Sequence, residues 1–307
     1  MSGQHVAAFF PGQGVLDTDV FRQYHAACPD IVAMFAEVDA VARKVCGTPL
    51  PRTPQCSRHS GVDVDLSIFL GSIASYRTLV QRGLQPRAIV GHGFGEIAAL
   101  VAGDALSLGD GAEIVARRHQ ALAAKKTRSR MGVLKLPAGH VHTFLRVLND
   151  ATVSIAAENA PTHTVIVGSP SGLAAAEDLA RLLGLSFQRL TTTWGPHRAS
   201  LRGIEQQLLG SLTHVARRAL QTPVYSPLLG RFYRAEDDVV AAIAEQLVEP
   251  VRFADAVRDL VTGGVTLFVE VGPLRGLSAT LACRAVSDIH FRIPRKQDPV
   301  PTQLEVA

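Results

Sequence analysis

Apolar positions along the chain fall into short unbroken runs and longer stretches with helical spacing, and the two alternate. His5-Val6-Ala7-Ala8-Phe9-Phe10, apolar from Val6 onward and stopped by Pro11-Gly12-Gln13-Gly14, has the pattern of a buried strand and a turn whose glycines admit close backbone approach to a ligand. Helical spacing follows around 18–45 and 66–82, and the second stretch passes through Leu84-Gln85-Pro86 into another apolar run, Arg87 to Val90. Further helices are predicted over 96–102 and 108–124, and a last buried strand, Leu267 to Val271, ends at Gly272-Pro273. Strands alternating with helices predict an α/β body.

From Met131 the period changes. The pattern reads strand 132–136, helix 139–148, strands 152–157 and 162–167, helix 172–183 and strand 186–191, which is the βαββαβ order of a ferredoxin-like unit. A helix around 198–213, a turn-rich stretch from Thr222 to Pro227 and a helix around 237–247 return the chain to the larger body. Residues 1–130 and 195–293 are thus expected to form one α/β core, 131–194 an inserted subdomain, and 294–307, with prolines at 299 and 301, a loosely ordered tail. Internal repeats and low-complexity tracts are absent from the sequence.

Composition narrows the class. A hydrophobic content of 47% without an apolar run near twenty residues predicts a soluble globular protein that does not enter a membrane. The start, MSGQHVAAFFPGQG, lacks the features of a secretory leader, and the expected location is cytoplasmic. Cys28, Cys46, Cys56 and Cys283 show neither C-x-x-C spacing nor a nearby paired histidine, which argues against a metal site or disulfide framework. A net charge of +4 is too small to argue for nucleic acid. Locally, Arg117, Arg118, His119, Lys125, Lys126, Arg128 and Arg130 form a basic run that reads either as a solvated helix face or as a dock for an acidic partner.

The chemistry concentrates at Val90-Gly91-His92-Gly93-Phe94-Gly95-Glu96, between a predicted strand and a predicted helix. A dinucleotide fingerprint needs Gly or Ala three residues after its second glycine, and Glu96 there would bring bulk and negative charge to a bound phosphate. The G-x-S-x-G nucleophile elbow fits better, because it sets its central residue above the sheet at a sharp strand-to-helix turn. Its centre here is Gly93, which has no side chain to attack a carbonyl.

Seven stretches in order along the chain resemble the malonyl-CoA:acyl carrier protein transacylase family, which includes polyketide synthase acyltransferase domains, over about residues 6–285. They are Phe10-Pro11-Gly12-Gln13-Gly14, Gly91-His92-Gly93-Phe94-Gly95-Glu96, Val115-Ala116-Arg117-Arg118, Glu158-Asn159-Ala160-Pro161, Thr222-Pro223-Val224-Tyr225-Ser226, Glu249-Pro250-Val251-Arg252-Phe253 and Val269-Glu270-Val271-Gly272-Pro273. The resemblance implies an α/β-hydrolase-like large subdomain with an inserted ferredoxin-like small one. It implies an acyl-CoA or acyl-phosphopantetheine thioester as substrate, no bound cofactor and an acyl carrier protein as partner; direct transfer would add a small-molecule acyl acceptor.

Carried over residue by residue, the resemblance puts the oxyanion hole at Gln13 and the Phe94 backbone N–H, the catalytic histidine at His197, and the missing nucleophile at Gly93. It gives Arg118 the malonyl carboxylate, a bidentate task suited to guanidinium, and orients the His197 ring through a main-chain carbonyl near Arg252. His92, Trp194 and Asn159 are expected on the substrate side, although His92 also reads as a residue that packs within the turn and Arg118 as a surface charge beside Arg117. Departures are Asp65 for a family glutamine, Ser226-Pro227 for a Ser-Asn turn, and Trp194-Gly195-Pro196-His197 in the stretch that tunes acyl choice. Cys56 is a remote candidate for a replacement nucleophile.

Three functions fit this sequence. One is direct acyl transfer or hydrolysis, in which His197 deprotonates an amine, hydroxyl or water that attacks the thioester without an acyl-serine. Another is a catalytically silent homologue that binds a carrier protein or acyl thioester. The third is an ordinary transacylase whose nucleophile has been substituted.

Overall fold

The computed structural model describes residues 5–13, 28–51, 61–124, 129–191, 194–273 and 290–292. Its larger sheet is built from β1 (Val6–Phe10), β2 (Ala88–Gly91), β7 (Val224–Ser226), β8 (Arg231–Phe232), β9 (Leu267–Glu270) and β10 (His290–Arg292), in the order β10-β9-β1-β2-β7-β8. All pairings are parallel except the edge pair β7–β8. The central strand β1 is buried on both faces, as a strand covered by further layers must be. Val6, Ala8 and Phe10 point into one hydrophobic cluster and Ala7 and Phe9 into another, the two-residue period of a pleated strand.

The first cluster holds α1 (Ile31–Cys46), α2 (Val62–Gln81), α3 (Gly95–Ala102) and α4 (Leu108–Ala123) against one face of that sheet. The second is covered by α9 (Phe253–Thr262) and by the inner face of the smaller sheet, through Met131, Val133, Val165 and Val167. That smaller sheet contains β3 (Arg130–Leu134), β4 (Ser154–Ala160), β5 (His163–Gly168) and β6 (Phe187–Leu190), all antiparallel and ordered β4-β5-β3-β6. Helices α5 (Ala138–Leu148) and α6 (Pro170–Leu182) cover its outer face with a third cluster that includes Leu134, Val141, Phe144, Ile166 and Leu173. This is the ferredoxin-like arrangement, and with the parallel sheet it makes the α/β fold that the sequence pattern predicts.

After the small sheet the chain passes through a short 3₁₀ turn (Ala199–Leu201), α7 (Arg202–Ser211) and α8 (Val239–Glu245). Helix α2 starts at Val62, four residues before the predicted onset, with Asp63 and Asp65 in its first turn, where the helix dipole favours negative charge. Four elements differ from expectation: β8 and β10 are strands where the sequence pattern predicts none, and β7 and α9 are the other two. β7 occupies the stretch read as turn-rich, a three-residue strand between Pro223 and Pro227 that is defined by its pairing with β2. Helix α9 is also additional, and its buried Phe253, Ala256, Val257 and Leu260 carry a clear helical spacing. The first part of the helix predicted around 18–45 and the tail from 294 lie outside the described residues.

Candidate active site

Strand β2 delivers the chain to the end of the parallel sheet, and α3 leaves from there after a turn that tolerates almost no side chain. A Cβ at Gly91 would stand 2.2 Å from the Glu96 Cα, and one at Gly95 2.3 Å from the Phe10 carbonyl oxygen, so both outer glycines are required for the turn to close against β1. Gly93, at the apex, has φ +52°, the left-handed conformation of an elbow apex. Within the turn the Gly95 and Glu96 N–H groups bond the carbonyls of His92 and Gly93, whereas the Phe94 N–H makes no backbone hydrogen bond among the described residues.

His197 faces this apex. A Cβ at Gly93 would lie 3.0 Å from its Nε2, 3.2 Å from its Cε1 and 3.5 Å from Val251 Cγ2. The ring is therefore a few tenths of an ångström closer than a side chain at the apex would allow. Its Nδ1–H donates to the Glu249 carbonyl at 3.2 Å, and since a carbonyl only accepts, the lone pair is on Nε2, toward Gly93. The carbonyl that orients the ring belongs to Glu249, close to Arg252 in the chain as expected. The His197 backbone has φ +65° and is held by its N–H bond to Leu247 O at 2.8 Å. Burial, then the nearby charges of Arg118 and His92, push the imidazole down to about 3, so it is neutral at pH 7.

Arg118 is an interior residue rather than a surface charge: it is 2% exposed, its Cζ lies 5.5 Å over the Phe94 ring, and its Nη1 is buried without a hydrogen-bond partner. Burial pushes the guanidinium down to about 10, with the Asp65 charge opposing the shift. Its Nη1 thus has a donor that burial leaves uncompensated, which a carboxylate could accept. Its neighbour Arg117 instead pairs with Glu113 at 2.7 Å, so the basic run is divided between interior and surface. Lys125, Lys126 and Arg128 lie outside the described residues, as do Cys56 and Cys283, while Cys28 and Cys46 are free thiols.

Asp65 is the departure with the largest structural effect. Its Oδ1 accepts from Gln13 Nε2 at 2.8 Å and its Oδ2 from His119 Nδ1 at 2.8 Å. One carboxylate thus holds the loop after β1 to α4, and it takes up a donor of the Gln13 side chain. His119 meets the Trp194 ring edge-on with centroids 6.4 Å apart, and the Trp194 Nε1 is buried without a partner. Ser129 pins the turn that follows, accepting from the Gly195 N–H at 3.0 Å. His92 packs in the turn: its Nε2–H donates to Asn159 Oδ1 at 2.7 Å and its ring lies 5.2 Å from that of Phe253. Asn159 is thereby a partner of the elbow.

Gln13, Asp65, His119 and Trp194 form one chain of contacts, Arg118 lies over Phe94 beside the apex that His197 faces, and His92 pairs with Asn159. The Asp65–His119 pair has no signature in the sequence, since its two members lie on separate helices, α2 and α4. Among the described residues no group of three or more His, Cys, Asp or Glu is placed to hold a metal, and no helix is long and apolar enough to cross a membrane.

Residues 20–285, a span that includes the glycine turn and His197, match the family described as the acyl transferase domain. The chain belongs to the acyl transferase domain family. Curated relatives include the polyketide synthase GfsB of Streptomyces halstedii, 30% identical over 283 residues, which make up 90% of this chain and 5% of that synthase. Another is the erythronolide synthase EryA3 of Saccharopolyspora erythraea, 30% identical over 281 residues, 90% of this chain and 9% of the relative. The chain thus spans only a small part of the length of these synthases. Among solved acyl transferases, the malonyl-CoA:acyl carrier protein transacylase FabD of Xanthomonas oryzae superposes with a TM-score of 0.83 at 27% identity, covering 95% of each chain. A malonyl-transacylase solved in complex with a type II polyketide synthase acyl-carrier protein gives a TM-score of 0.83 at 23% identity over 94% of each chain.

Proposed function

We propose that this acyl transferase acts on an acyl thioester by direct, His197-assisted transfer or hydrolysis, without an acyl-serine intermediate. The observation that carries the proposal is the Nε2 lone pair of His197 directed at an apex that has no side chain. In this mechanism the acyl carbonyl lies over Gly93, its oxygen taking the Phe94 N–H and the oxyanion loop at Gln13. An acceptor H–Nu, an amine, hydroxyl or water, occupies the place of a serine hydroxyl. Its proton passes to His197 Nε2 as Nu attacks the carbonyl carbon; the C–S bond then breaks and the same proton goes to the departing thiolate. Acyl–S–R and H–Nu become acyl–Nu and H–S–R, and His197 returns to its starting tautomer.

The acyl group favoured is one with a free carboxylate, as in malonyl thioesters. Paired with Arg118 Nη1, that carboxylate accepts from the donor that burial leaves uncompensated, and it screens the Arg118 charge that opposes protonation of His197. Substrate binding would thus make the base stronger. The donor is a coenzyme A or carrier-protein thioester, a carrier being in keeping with the related transacylase solved with one.

One contact favours the silent binding homologue instead: the bond from Gln13 to Asp65 draws that amide away from the acyl oxygen. Thiol release from malonyl-CoA, followed with and without hydroxyl and amine acceptors, separates the two. Release lost in His197→Gln supports the direct mechanism; release at the rate of a protein-free control, with thioester binding intact, supports the silent homologue.

A further inference from the structure

We infer that Glu96 is a positioning residue that sets the elbow apex and His197 in register with each other, an inference that rests on the reading of His197 as the working base. Glu96 lies in the first turn of α3, 1% exposed. Its backbone N–H bonds the carbonyl of Gly93 at 2.9 Å, so its main chain helps define the apex itself. Its side chain reaches the other half of the site. Oε1 accepts from Tyr233 Oη at 2.7 Å, Oε2 accepts from Gln246 Nε2, and the Ser226 hydroxyl bonds the same carboxylate.

Gln246 immediately precedes the carbonyls that hold the histidine. Leu247 O accepts the N–H groups of His197 at 2.8 Å and Arg198 at 3.1 Å, and Glu249 O accepts the ring Nδ1–H. His197 needs this hold, because a non-glycine residue at φ +65° sits in a sparsely populated conformation that persists only where its surroundings determine it. One buried residue therefore touches Gly93 through its backbone and the His197 clamp through its side chain. Three donors converge on two oxygens, which suits a carboxylate, since it accepts at every lone pair and offers no competing hydrogen. Apolar packing would fill this place without the desolvation cost of a buried carboxylate, which is pushed up to about 7 here. What the carboxylate adds is direction.

The test uses Glu96→Ala, Gln246→Met and the exchanged pair Glu96→Gln/Gln246→Glu, in which the amide donates from the helix and the carboxylate accepts. Imidazole resonances are recorded on histidine-labelled protein, with His197 assigned by its loss in His197→Gln, alongside thiol release from malonyl-CoA. Expected are a shift of the His197 ring signals and a fall in kcat of about tenfold or more at little-changed KM in the two disrupting variants, and recovery of both in the exchanged pair. His197 signals unmoved in folded Glu96→Ala or Gln246→Met overturn the inference. So does an exchanged pair that melts like wild type but leaves the ring signals displaced. The ring signals answer even if no variant turns over, in which event the proposed reaction fails and the positioning role is judged separately.

Discussion

Replacing Gly93 with serine should convert an apex without a side chain into one that forms an acyl-enzyme. The new Cβ enters at φ +52°, which costs a residue with a side chain about 1–2 kcal/mol. It also meets His197 Nε2 at 3.0 Å and Cε1 at 3.2 Å, so the ring must withdraw by a few tenths of an ångström along its 3.2 Å bond to Glu249 O, while Val251 at 3.5 Å is in ordinary contact. The expected sum is a destabilisation of about 1–3 kcal/mol, a fall in Tm of several degrees, and a folded protein. The introduced hydroxyl would then lie between the Nε2 lone pair and a carbonyl held at the Phe94 N–H. Intact-mass measurement after mixing Gly93→Ser with malonyl-CoA should show one acyl adduct per chain, located on the peptide that carries the substitution and absent from Gly93→Ser/His197→Gln. Direct transfer to an added acceptor should fall at the same time, because the hydroxymethyl group takes the acceptor's place. A folded Gly93→Ser protein that never acquires the adduct would refute the placement of His197 and the oxyanion donors.

Other outcomes follow from the same geometry. Arg118→Ala should lower kcat/KM for malonyl thioester about 10²-fold while leaving acetyl thioester nearly unaffected, and it should raise the His197 pKa by removing a neighbouring cation; steady-state thiol release and imidazole titration by NMR check the two parts. His197, pushed from 6.5 down to about 3, contributes stability that is full above 6.5 and is lost as pH falls toward 3, up to about 5 kcal/mol at ~1.4 kcal/mol per pH unit. Urea melts of His197→Gln should accordingly show a weaker loss of stability in acid than wild type. Glu96 works the opposite way: pushed from 4.5 up to about 7, it contributes stability that is full below 4.5 and fades as pH rises through 7, a dependence that Glu96→Gln should flatten in the same melts. Asp65→Asn should loosen its hold on His119 and free the Gln13 amide, raising the rate of thiol release if the amide then turns to the acyl oxygen.

The parts of the site that are legible in sequence are those dictated by local backbone geometry. The outer glycines of the elbow cannot bear a side chain, and the apolar runs of β1, β2 and β9 are buried on both faces, so both signals are strong in a single chain. The βαββαβ order is likewise written in the alternation of strand and helix periods between Arg130 and Leu190. What escapes depends on contacts between distant segments. β7 is three residues long and owes its existence to pairing with β2, and the carbonyl that orients His197, that of Glu249, carries no residue-type signature because it is a main-chain group. Arg118 reads the same in sequence whether it is solvated like Arg117 or buried against Phe94; only the packing of α4 tells them apart. The Asp65–His119 and Glu96–Gln246 bonds join positions 54 and 150 residues apart, beyond the reach of any local pattern.

The most direct test of the account is the mass balance of the wild-type protein with malonyl-CoA or a malonyl carrier-protein thioester, with and without an amine or hydroxyl acceptor. The intact mass of each protein and the identity of the small products would be recorded together. Acyl loss or transfer with no mass added to the chain, abolished in His197→Gln, is the result predicted here. A stable acyl adduct on the wild-type chain, or no turnover above the protein-free control, would contradict it.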